Sequence, residues 1–431
     1  MDVVHRIILS ALLGIALTSC NNGSDNSNPT TPPIASKASC LGSEIKNHFI
    51  VKWKSGKTTY EEAESQEAVL QSLVLQNSAQ NSDQVEFVEQ DHMIHLDVRE
   101  STQASSASTS QPAIDWGQQM VQAPAVWTQG VNGNGVTVAV VDSGADYTHP
   151  QLRDQIALNA GEMGVDSQGR DKSNNGIDDD ANGYIDDVRG YNFAEDDDPK
   201  HPQAANDPMD TNEHGTHVSG IIGAKHSAGP IHGIAEQAKI LPLRFINASG
   251  AGAVSSAIKA IQYAVKAKAK VINASWGGSE CSKALQDTIA GLEAQGIIFI
   301  AAAGNDNKNL DTTPSYPAAY AIPGQITVIA TTELDAQAEF SNFSFTLTQI
   351  GAPGLGIVST IPNGGTLSLD GTSMATPFVA GAAALLFGVK PTATVAQIKD
   401  ALLKSVDQTS IADSAGGRLN VKKAVDLIKS M

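Results

Sequence analysis

SSAIKAIQYAVKAKAKVINASW, Ser255 to Trp276, decides the fold. Its first part has the apolar spacing of a helix, and its end, KVINASW, is a short apolar run typical of a buried strand. The same alternation extends outward in both directions. Further strand-like runs are VTVAVVD (Val136 to Asp142), KILPLRF (Lys239 to Phe245), GIIFIAAA (Gly296 to Ala303) and QITVIAT (Gln325 to Thr331), and a further helical run is KALQDTIAGLEAQG (Lys283 to Gly296). This alternation predicts an α/β fold with a parallel central sheet and helices on both faces.

Two polar tracts divide the chain before this sheet. Residues 1–20 carry His5, Arg6 and an apolar run too short to span a bilayer, which predicts a signal peptide. Residues 21–40 predict a flexible tether, residues 41–100 a small α+β module, residues 101–111 a linker open to proteolysis, and residues 112–431 the main domain. Within the module, HFIVKWK (48–54) and VEFVEQDHMIHLDV (85–98) predict strands, and the stretch from Tyr60 to Gln76 predicts a helix.

The signal peptide ends in LTSC, which resembles the lipobox of bacterial lipoproteins. The resemblance implies that Cys20 is lipidated and anchors the chain in a membrane, with Asn21 favouring the outer membrane. The alternative is a plain secretion signal with a chance cysteine. If Cys20 is lipidated, Cys40 and Cys281 are the only pair left for an internal disulfide.

The charge balance excludes one class of partner. The chain has 46 acidic and 28 basic residues and a net charge of -18. Nucleic-acid binding requires a basic face, so nucleic acid is not expected as a partner, whereas the acidity suits calcium.

Three chemically distinct residues lie where strands end or helices begin, the edge at which such sheets place their sites. Asp142 ends VTVAVVD, His214 opens HGTHVSG, and Ser373 lies in GTSMATP. They supply an acid, a base and a nucleophile. His214 and His217 could instead form a zinc helix, but that would require a third ligand, whereas a catalytic triad is complete. His217 is then interpreted as a structural histidine.

Four motifs resemble the subtilisin-like serine proteases, from about Trp116 through the final helix: VAVVDSG (138–144), HGTHVSG (214–220), AAAGN (301–305) and GTSMATPFVAGAAALL (371–386). The resemblance implies that Ser373 is the nucleophile, His214 the general base and Asp142 its orienting carboxylate, with no cofactor for catalysis. It also implies that Asn305 donates its side-chain amide to the oxyanion.

The same resemblance implies how protein or peptide substrates bind. SWGG, with Ser275, Trp276 and Gly277, would form one wall of the first pocket, and residues 301–304 the other. Gly250 and Gly252 would pair with the substrate backbone as an added strand, although these glycines could also be simple turns. No acidic cluster marks a dibasic specificity, so an uncharged residue is expected at the cleaved position. Residues 41–100 resemble the inhibitory propeptide of these proteases; the alternative is an unrelated adaptor.

The sequence predicts calcium as a structural cofactor. Many subtilisins have an aspartate that helps bind calcium where this chain has Gln151, so that usual site is in doubt. An insertion between the Asp and His motifs has eleven acids and three bases from Asp166 to Asp198. The spacing of the polar residues from Asp178 to Asp186 follows the first positions of a calcium loop, although Arg189 replaces the final glutamate. The alternative is a solvated acidic loop. The predicted ligands are Asp178, Asp180, Asn182, Tyr184 and Asp186.

These features predict an exported serine endopeptidase, held in the bacterial envelope by Cys20 or extracellular after processing between about His95 and Pro112. One alternative is an inactive surface lipoprotein that retains the fold. Another is a metal-dependent hydrolase built on His214 and His217.

Overall fold

The computed structural model describes residues 44–77, 84–96, 99–100, 114–194 and 204–431. The predicted signal peptide, the tether and the linker at 101–111 lie outside these residues, as do Cys20 and Cys40. Cys281 is disulfide-bonded.

The N-terminal unit is a small α+β module. It contains β1 (Glu44–Trp53), β2 (Thr58–Glu62), α1 (Gln66–Asn77), β3 (Val85–His95) and β4 (Arg99–Glu100). The two strands predicted from sequence are confirmed, but the helix prediction was wrong at its start. Tyr60 lies in β2, opposite Ile50 of β1, and the helix begins only at Gln66.

The main unit holds the remaining strands and helices. Its strands are β5 (Thr137–Asp142), β6 (Tyr191–Asn192), β7 (Lys239–Arg244), β8 (Ala251–Ala253), β9 (Val271–Ala274), β10 (Ile298–Ala302), β11 (Gln325–Thr331), β12 (Ile350–Pro353), β13 (Ile357–Ile361), β14 (Gly365–Asp370), β15 (Asp407–Gln408) and β16 (Gly417–Arg418). Its helices are α2 (Trp116–Met120), α3 (Pro124–Trp127), α4 (His214–Gly223), α5 (Val254–Lys266), α6 (Lys283–Ala290), α7 (Thr372–Val389), α8 (Val395–Leu403) and α9 (Val421–Ser430).

Within the described residues, nine strands form the central sheet in the order β15-β16-β12-β11-β10-β9-β5-β7-β6. All neighbours are parallel except β15 and β16. Alternate residues of β5 enter two cores: Val138 and Val140 pack with α4 and α7, whereas Ala139 and Val141 pack with α5 and α6. Both faces of the sheet are therefore covered, which confirms the predicted α/β fold.

α7 is the one described helix long and apolar enough to cross a membrane, and 89% of it is buried within the protein. Its side chains, including Phe378 and Leu385, belong to the core that it forms with the sheet and α4. The apolar character of this helix is thus explained by its central position in the fold.

The N-terminal unit shares a core with the main unit. Phe49 and Val51 face α1, whereas Ile50 on the opposite face of β1 packs in the same core as α5 and α6. Ile50 is fully buried. The small sheet is therefore a layer between its own helix and two helices of the main unit.

Gln151 closes a loop in the main unit. Its side chain is buried, and its amide nitrogen donates to the carbonyl oxygens of Lys225 at 3.0 Å and Ile231 at 2.7 Å. Its amide oxygen accepts from Ile231 N at 3.2 Å. An aspartate that binds calcium is usual at this position in the family that the sequence resembles. Here an uncharged amide takes that position, and its hydrogen bonds hold the backbone of the loop instead.

We expect Gln151→Ala to lower the free energy of unfolding by about 3 kcal/mol, because it leaves the N–H and the carbonyl group of buried Ile231 without their partner. Chemical denaturation should be measured in a Ser373→Ala background to avoid self-digestion. Gln151→Glu should be comparably destabilising, since a carboxylate cannot donate to carbonyl oxygens. Unchanged stability in both variants would contradict the role assigned to this amide.

Candidate active site

Asp142 and His214 form the centre of the site. Asp142 is the last residue of β5 and His214 the first residue of α4. Nδ1 of His214 lies 2.7 Å from Oδ1 of Asp142, and both side chains are buried. Because this bond takes the proton of Nδ1, Nε2 of His214 is the nitrogen left to act as a base.

The charge around His214 holds its pKa above the ordinary value. Burial lowers the pKa, but the charge of Asp142, its hydrogen bond and the charge of Asp210 together outweigh burial. Two carboxylates thus raise the pKa of His214: Asp142, which is hydrogen-bonded to the ring, and Asp210, which acts only through its charge.

Asp210 is a site residue that the sequence analysis missed. Its carboxylate is 4% exposed and accepts five hydrogen bonds, from Ser143 Oγ, the backbone N–H groups of Asn212, Glu213 and Thr216, and Thr216 Oγ1. All five partners donate, which favours the ionised carboxylate and opposes the burial that raises the pKa of Asp210. Ser143 in turn accepts from Gly215 N at 2.9 Å, so Asp210 joins the end of β5 to the start of α4.

Ser373 lies in the first turn of α7 and is 7% exposed. Its Oγ donates to the carbonyl oxygen of Ser275 at 2.8 Å, and Ser275 Oγ donates to the carbonyl oxygen of Ser373 at the same distance. Among the described residues, Nε2 of His214 has no hydrogen-bond partner. The Ser373 hydroxyl is thus engaged by Ser275 and makes no hydrogen bond with Nε2 of His214.

Asn305 is fixed by the residue before the nucleophile. Its Oδ1 accepts from Thr372 N at 2.8 Å and Thr372 Oγ1 at 2.9 Å. The amide nitrogen is then directed away from Thr372, and it lies 3.6 Å from the position that a Cβ on Gly371 would take. The Asn305 amide and the first turn of α7 therefore border the same space.

His217 has a different environment from His214. It is fully buried, and Nε2 lies 3.1 Å from the carbonyl oxygen of Ile357 and 3.0 Å from that of Leu367. Burial lowers its pKa to about 3, so the ring is neutral. These contacts support a structural histidine rather than a partner of His214 in a metal site.

The predicted substrate edge is paired with the chain's own N-terminal unit. β8, which contains Gly252, pairs antiparallel with residues Met93 to His95 of β3. Gly250 has a φ of 82°, and its carbonyl oxygen accepts from Leu96 N at 2.8 Å. A Cβ on Gly252 would lie 2.5 Å from the carbonyl oxygen of Phe245, so packing requires glycine there.

The two predicted walls of the first pocket meet at Ser315, which the sequence analysis also missed. Ser315 Oγ lies 3.2 Å from the Cβ position of Gly277 and 3.6 Å from that of Gly304. Ser275 lines the cleft through its carbonyl group, while the Trp276 ring is buried, donates to Val141 O at 2.7 Å and packs on Phe245. The small polar side chain of Ser315 therefore lies against both predicted walls, residues 275–278 and residues 301–304.

Comparison with known proteins gives this arrangement a family. Residues 133–423, which carry all four residues predicted to act in catalysis, match the subtilase family. The chain belongs to the subtilase family. It is a serine endopeptidase of the subtilisin-like type.

The relatives of this subtilase include several named subtilisins. It is 34% identical to subtilisin NAT of Bacillus subtilis subsp. natto over 319 residues, 74% of this chain and 69% of the relative. It is 33% identical to subtilisin of Bacillus pumilus over 72% of this chain and 98% of the relative. It is 35% identical to an intracellular serine protease of Paenibacillus polymyxa over 63% of this chain and 72% of the relative.

The acidic insertion of this subtilase brings together a different set of carboxylates from the predicted one. Among the described residues, Glu162, Asp180 and Asp187 place one carboxylate oxygen each within 4.8 Å of the others. Of the five predicted ligands, only Asp180 belongs to this group. Asp178 instead accepts from the N–H groups of Asn182 and Gly183, and Asp186 from that of Gly176. The remaining predicted ligands, Asn182 and Tyr184, are joined by a hydrogen bond from Tyr184 N to Asn182 Oδ1.

The pKa of His214 leads to a prediction about pH. A general base must be neutral, so with His214 in this predicted role kcat/KM falls as the pH drops through its pKa, and the raised pKa places this loss above the range of an ordinary histidine. We expect Asp210→Asn to move the acidic limb of the profile to lower pH, because one negative charge near the imidazolium is removed. Asp166→Asn, which alters an exposed ion pair with Arg170, is the matched control and should leave the limb in place. An acidic limb at the same pH in all three proteins would show that Asp210 does not tune His214.

Proposed function

We propose that this subtilase cleaves peptide bonds through an acyl-enzyme on Ser373 and is exported as a lipoprotein whose N-terminal unit inhibits it. The catalytic part is supported by the buried 2.7 Å contact between Asp142 and His214. Among the described residues, Nε2 of His214 has no hydrogen-bond partner and is available as a base. Calcium is kept as a structural cofactor, and no cofactor takes part in the reaction.

Acylation begins with rotation of the Ser373 hydroxyl from Ser275 towards His214. Oγ attacks the carbonyl carbon of the substrate while its proton passes to Nε2, and Asp142 stabilises the resulting imidazolium. The oxyanion accepts from the Asn305 amide and from the Ser373 N–H, which has no intrahelical partner because it lies in the first turn of α7. Collapse of this intermediate breaks the peptide bond, and the leaving amine takes the proton from Nε2.

Deacylation repeats these steps with water as the nucleophile. Water gives a proton to Nε2 of His214 and attacks the acyl carbon, and the same donors hold the new oxyanion. Collapse returns the proton to Ser373 Oγ and releases the carboxylic acid. Asp142 remains ionised throughout, since its role is to orient the ring and balance its charge.

The path of the N-terminal unit supports its role as a propeptide. Its last strand covers the edge at β8, and Leu96 continues the pairing by donating to Gly250. Arg99–Glu100 then pair with Leu369–Asp370, which end three residues before Ser373. Leu96 therefore pairs with Gly250, Arg99 pairs with β14, which leads to Ser373, and the two residues between them are outside the described range. We place the self-processing bond between Leu96 and Arg99, at the start of the predicted window.

Two carboxylates of β3 strengthen this docking. Glu89 accepts from Ser282 Oγ at 2.5 Å, Lys283 N at 2.9 Å and Ala284 N at 3.2 Å, at the start of α6. Asp91 accepts from Ser255 N at 3.1 Å, at the start of α5. Negative charge at a helix N-terminus satisfies N–H groups that have no intrahelical partner and complements the helix dipole.

We expect Glu89→Ala to weaken inhibition by the cleaved N-terminal fragment about 10- to 100-fold, the effect of losing hydrogen bonds to a charged group. The measurement is the inhibition constant of the fragment added to processed enzyme. Glu86→Ala, at an exposed position of the same strand, is the matched control and should inhibit like the parent fragment. Equal inhibition constants for the two variants would argue against the capping role.

The proposal as a whole is tested by labelling, fractionation and N-terminal sequencing of the full-length protein. Wild type should react with a serine-directed fluorophosphonate and yield a soluble enzyme whose N-terminus lies between Leu96 and Pro112. Ser373→Ala should lose the label and remain a full-length protein in the membrane, because the cut that separates enzyme from Cys20 requires the nucleophile.

The outcomes separate the parts of the proposal. Wild type that fails to label would favour the inactive surface lipoprotein. Normal processing of Ser373→Ala would show that another protease makes the cut. Cys20→Ser should abolish membrane attachment without abolishing labelling; a variant that still partitions into membranes would contradict the lipid anchor.

A further inference from the structure

The base of the acidic insertion has the features of a cation site. Glu162 ends a 3-10 turn, Ala160–Glu162, and its carboxylate meets those of Asp180 and Asp187 from the following loop. In the part of the chain that the structure describes, no other three His, Cys, Asp or Glu side chains meet this spacing. Proximity alone does not make a site; the hydrogen bonds that these oxygens accept decide whether a cation would be stabilised there.

Glu162 holds an oxygen that the protein does not satisfy. The residue has no exposed surface, and Oε1 accepts from the N–H groups of Asp179 at 2.7 Å and Asp180 at 3.3 Å. Oε2 is buried and has no hydrogen-bond partner among the described residues. A buried carboxylate oxygen without a donor is unfavourable, and a cation bound against it, beside two further carboxylates, would remove this cost.

The other two carboxylates receive only neutral donors. The Asn159 amide nitrogen donates to Asp180 at 3.0 Å and to Asp187 at 2.6 Å, while its oxygen accepts from Gly161 N. Tyr263 and Asn182 also donate to Asp187. In the described residues, no Lys or Arg forms an ion pair with Glu162, Asp180 or Asp187.

The lysines nearby are engaged elsewhere. Lys266 donates to the carbonyl oxygen of Asn182 at 2.8 Å, and Lys172 lies 3.9 Å from Asp179. Neither lysine forms an ion pair with the three carboxylates, although Lys266 lines the same cavity as Asp180 and Asp187. This cavity of about 280 Å³, lined by Asp180, Asp187 and Tyr263, lies beside them and has room for an ion with its waters.

We propose that Glu162, Asp180 and Asp187 bind one calcium ion that joins the insertion to the main unit. Oxygen ligands without sulfur or imidazole select a hard cation, and calcium accepts the irregular geometry of carboxylates drawn from separate turns. Water from the cavity would complete its coordination. This site shares only Asp180 with the loop ligands predicted from sequence, and it does not rest on the catalytic proposal.

A bound ion would connect three segments. Glu162 belongs to the turn after β5, Asp180 and Asp187 belong to the insertion, and Tyr263 of α5 donates to Asp187 Oδ2 at 2.5 Å. The expected consequence is that calcium raises the melting temperature and protects the insertion from cleavage by an added protease.

The test uses the full-length Ser373→Ala protein, which cannot digest itself, and calcium itself as the probe. Calorimetric titration after removal of metal should show one site, and Glu162→Gln should weaken its affinity at least tenfold. In chelator, Glu162→Gln should melt no lower than the parent, because it keeps the acceptor for Asp179 and removes one of three adjacent negative charges. A variant that melts lower in chelator would show that Glu162 stabilises the fold without an ion.

Two further arms separate this site from the loop site. Asp178→Asn should bind calcium like the parent, whereas Asp187→Asn should not. Terbium should replace calcium and luminesce on excitation of tyrosine, with a weaker signal in Tyr263→Phe. Absence of calcium binding, loss of binding in Asp178→Asn, or unchanged binding in Glu162→Gln would each overturn the proposal.

Discussion

The buried carboxylate of Asp142 is the constraint on which the rest of this subtilase depends. A charge without exposed surface at the end of a central strand needs nearby donors, and His214 and Ser143 N both donate to its Oδ1. To bring the ring into place, α4 must start next to the end of β5. A Cβ on Gly215 would lie 2.1 Å from the carbonyl oxygen of Gly144, so only glycine permits this approach. The positions of the base and of the helix that carries it therefore follow from one charge.

The sequence was sufficient to locate residues whose positions depend on the alternation of strands and helices. Asp142, His214 and Ser373 end a strand or begin a helix, and the fold brings such ends to one edge of the sheet. Asp210 could not be found in this way. It is one of several acids before α4, and only the folded loop shows that five donors converge on it. The start of α1 was missed for a related reason, since pairing with β1 makes Tyr60 part of a strand although its local pattern suits a helix.

The insertion shows why the spacing of carboxylates along a chain is an incomplete guide. Asp178 and Asp180 follow the spacing of a calcium loop, but a short acidic side chain in a turn first satisfies the nearest backbone N–H groups, as Asp178 does with Asn182 and Gly183. Glu162 lies outside the apparent motif and carries the oxygen that stays unsatisfied. Its relation to Asp187 is a product of tertiary structure, so no local pattern could reveal it.

Gln151 makes the stability of its loop independent of ions in the surrounding medium. The loop from Lys225 to Ile231 is held by an amide that belongs to the chain itself, and its hydrogens are present wherever the protein goes. A loop held by an exchangeable ion keeps its shape only where the surrounding fluid supplies that ion. For an exported protein, the first arrangement makes the loop indifferent to the ion content of the medium, whereas a loop held by an ion would respond to it.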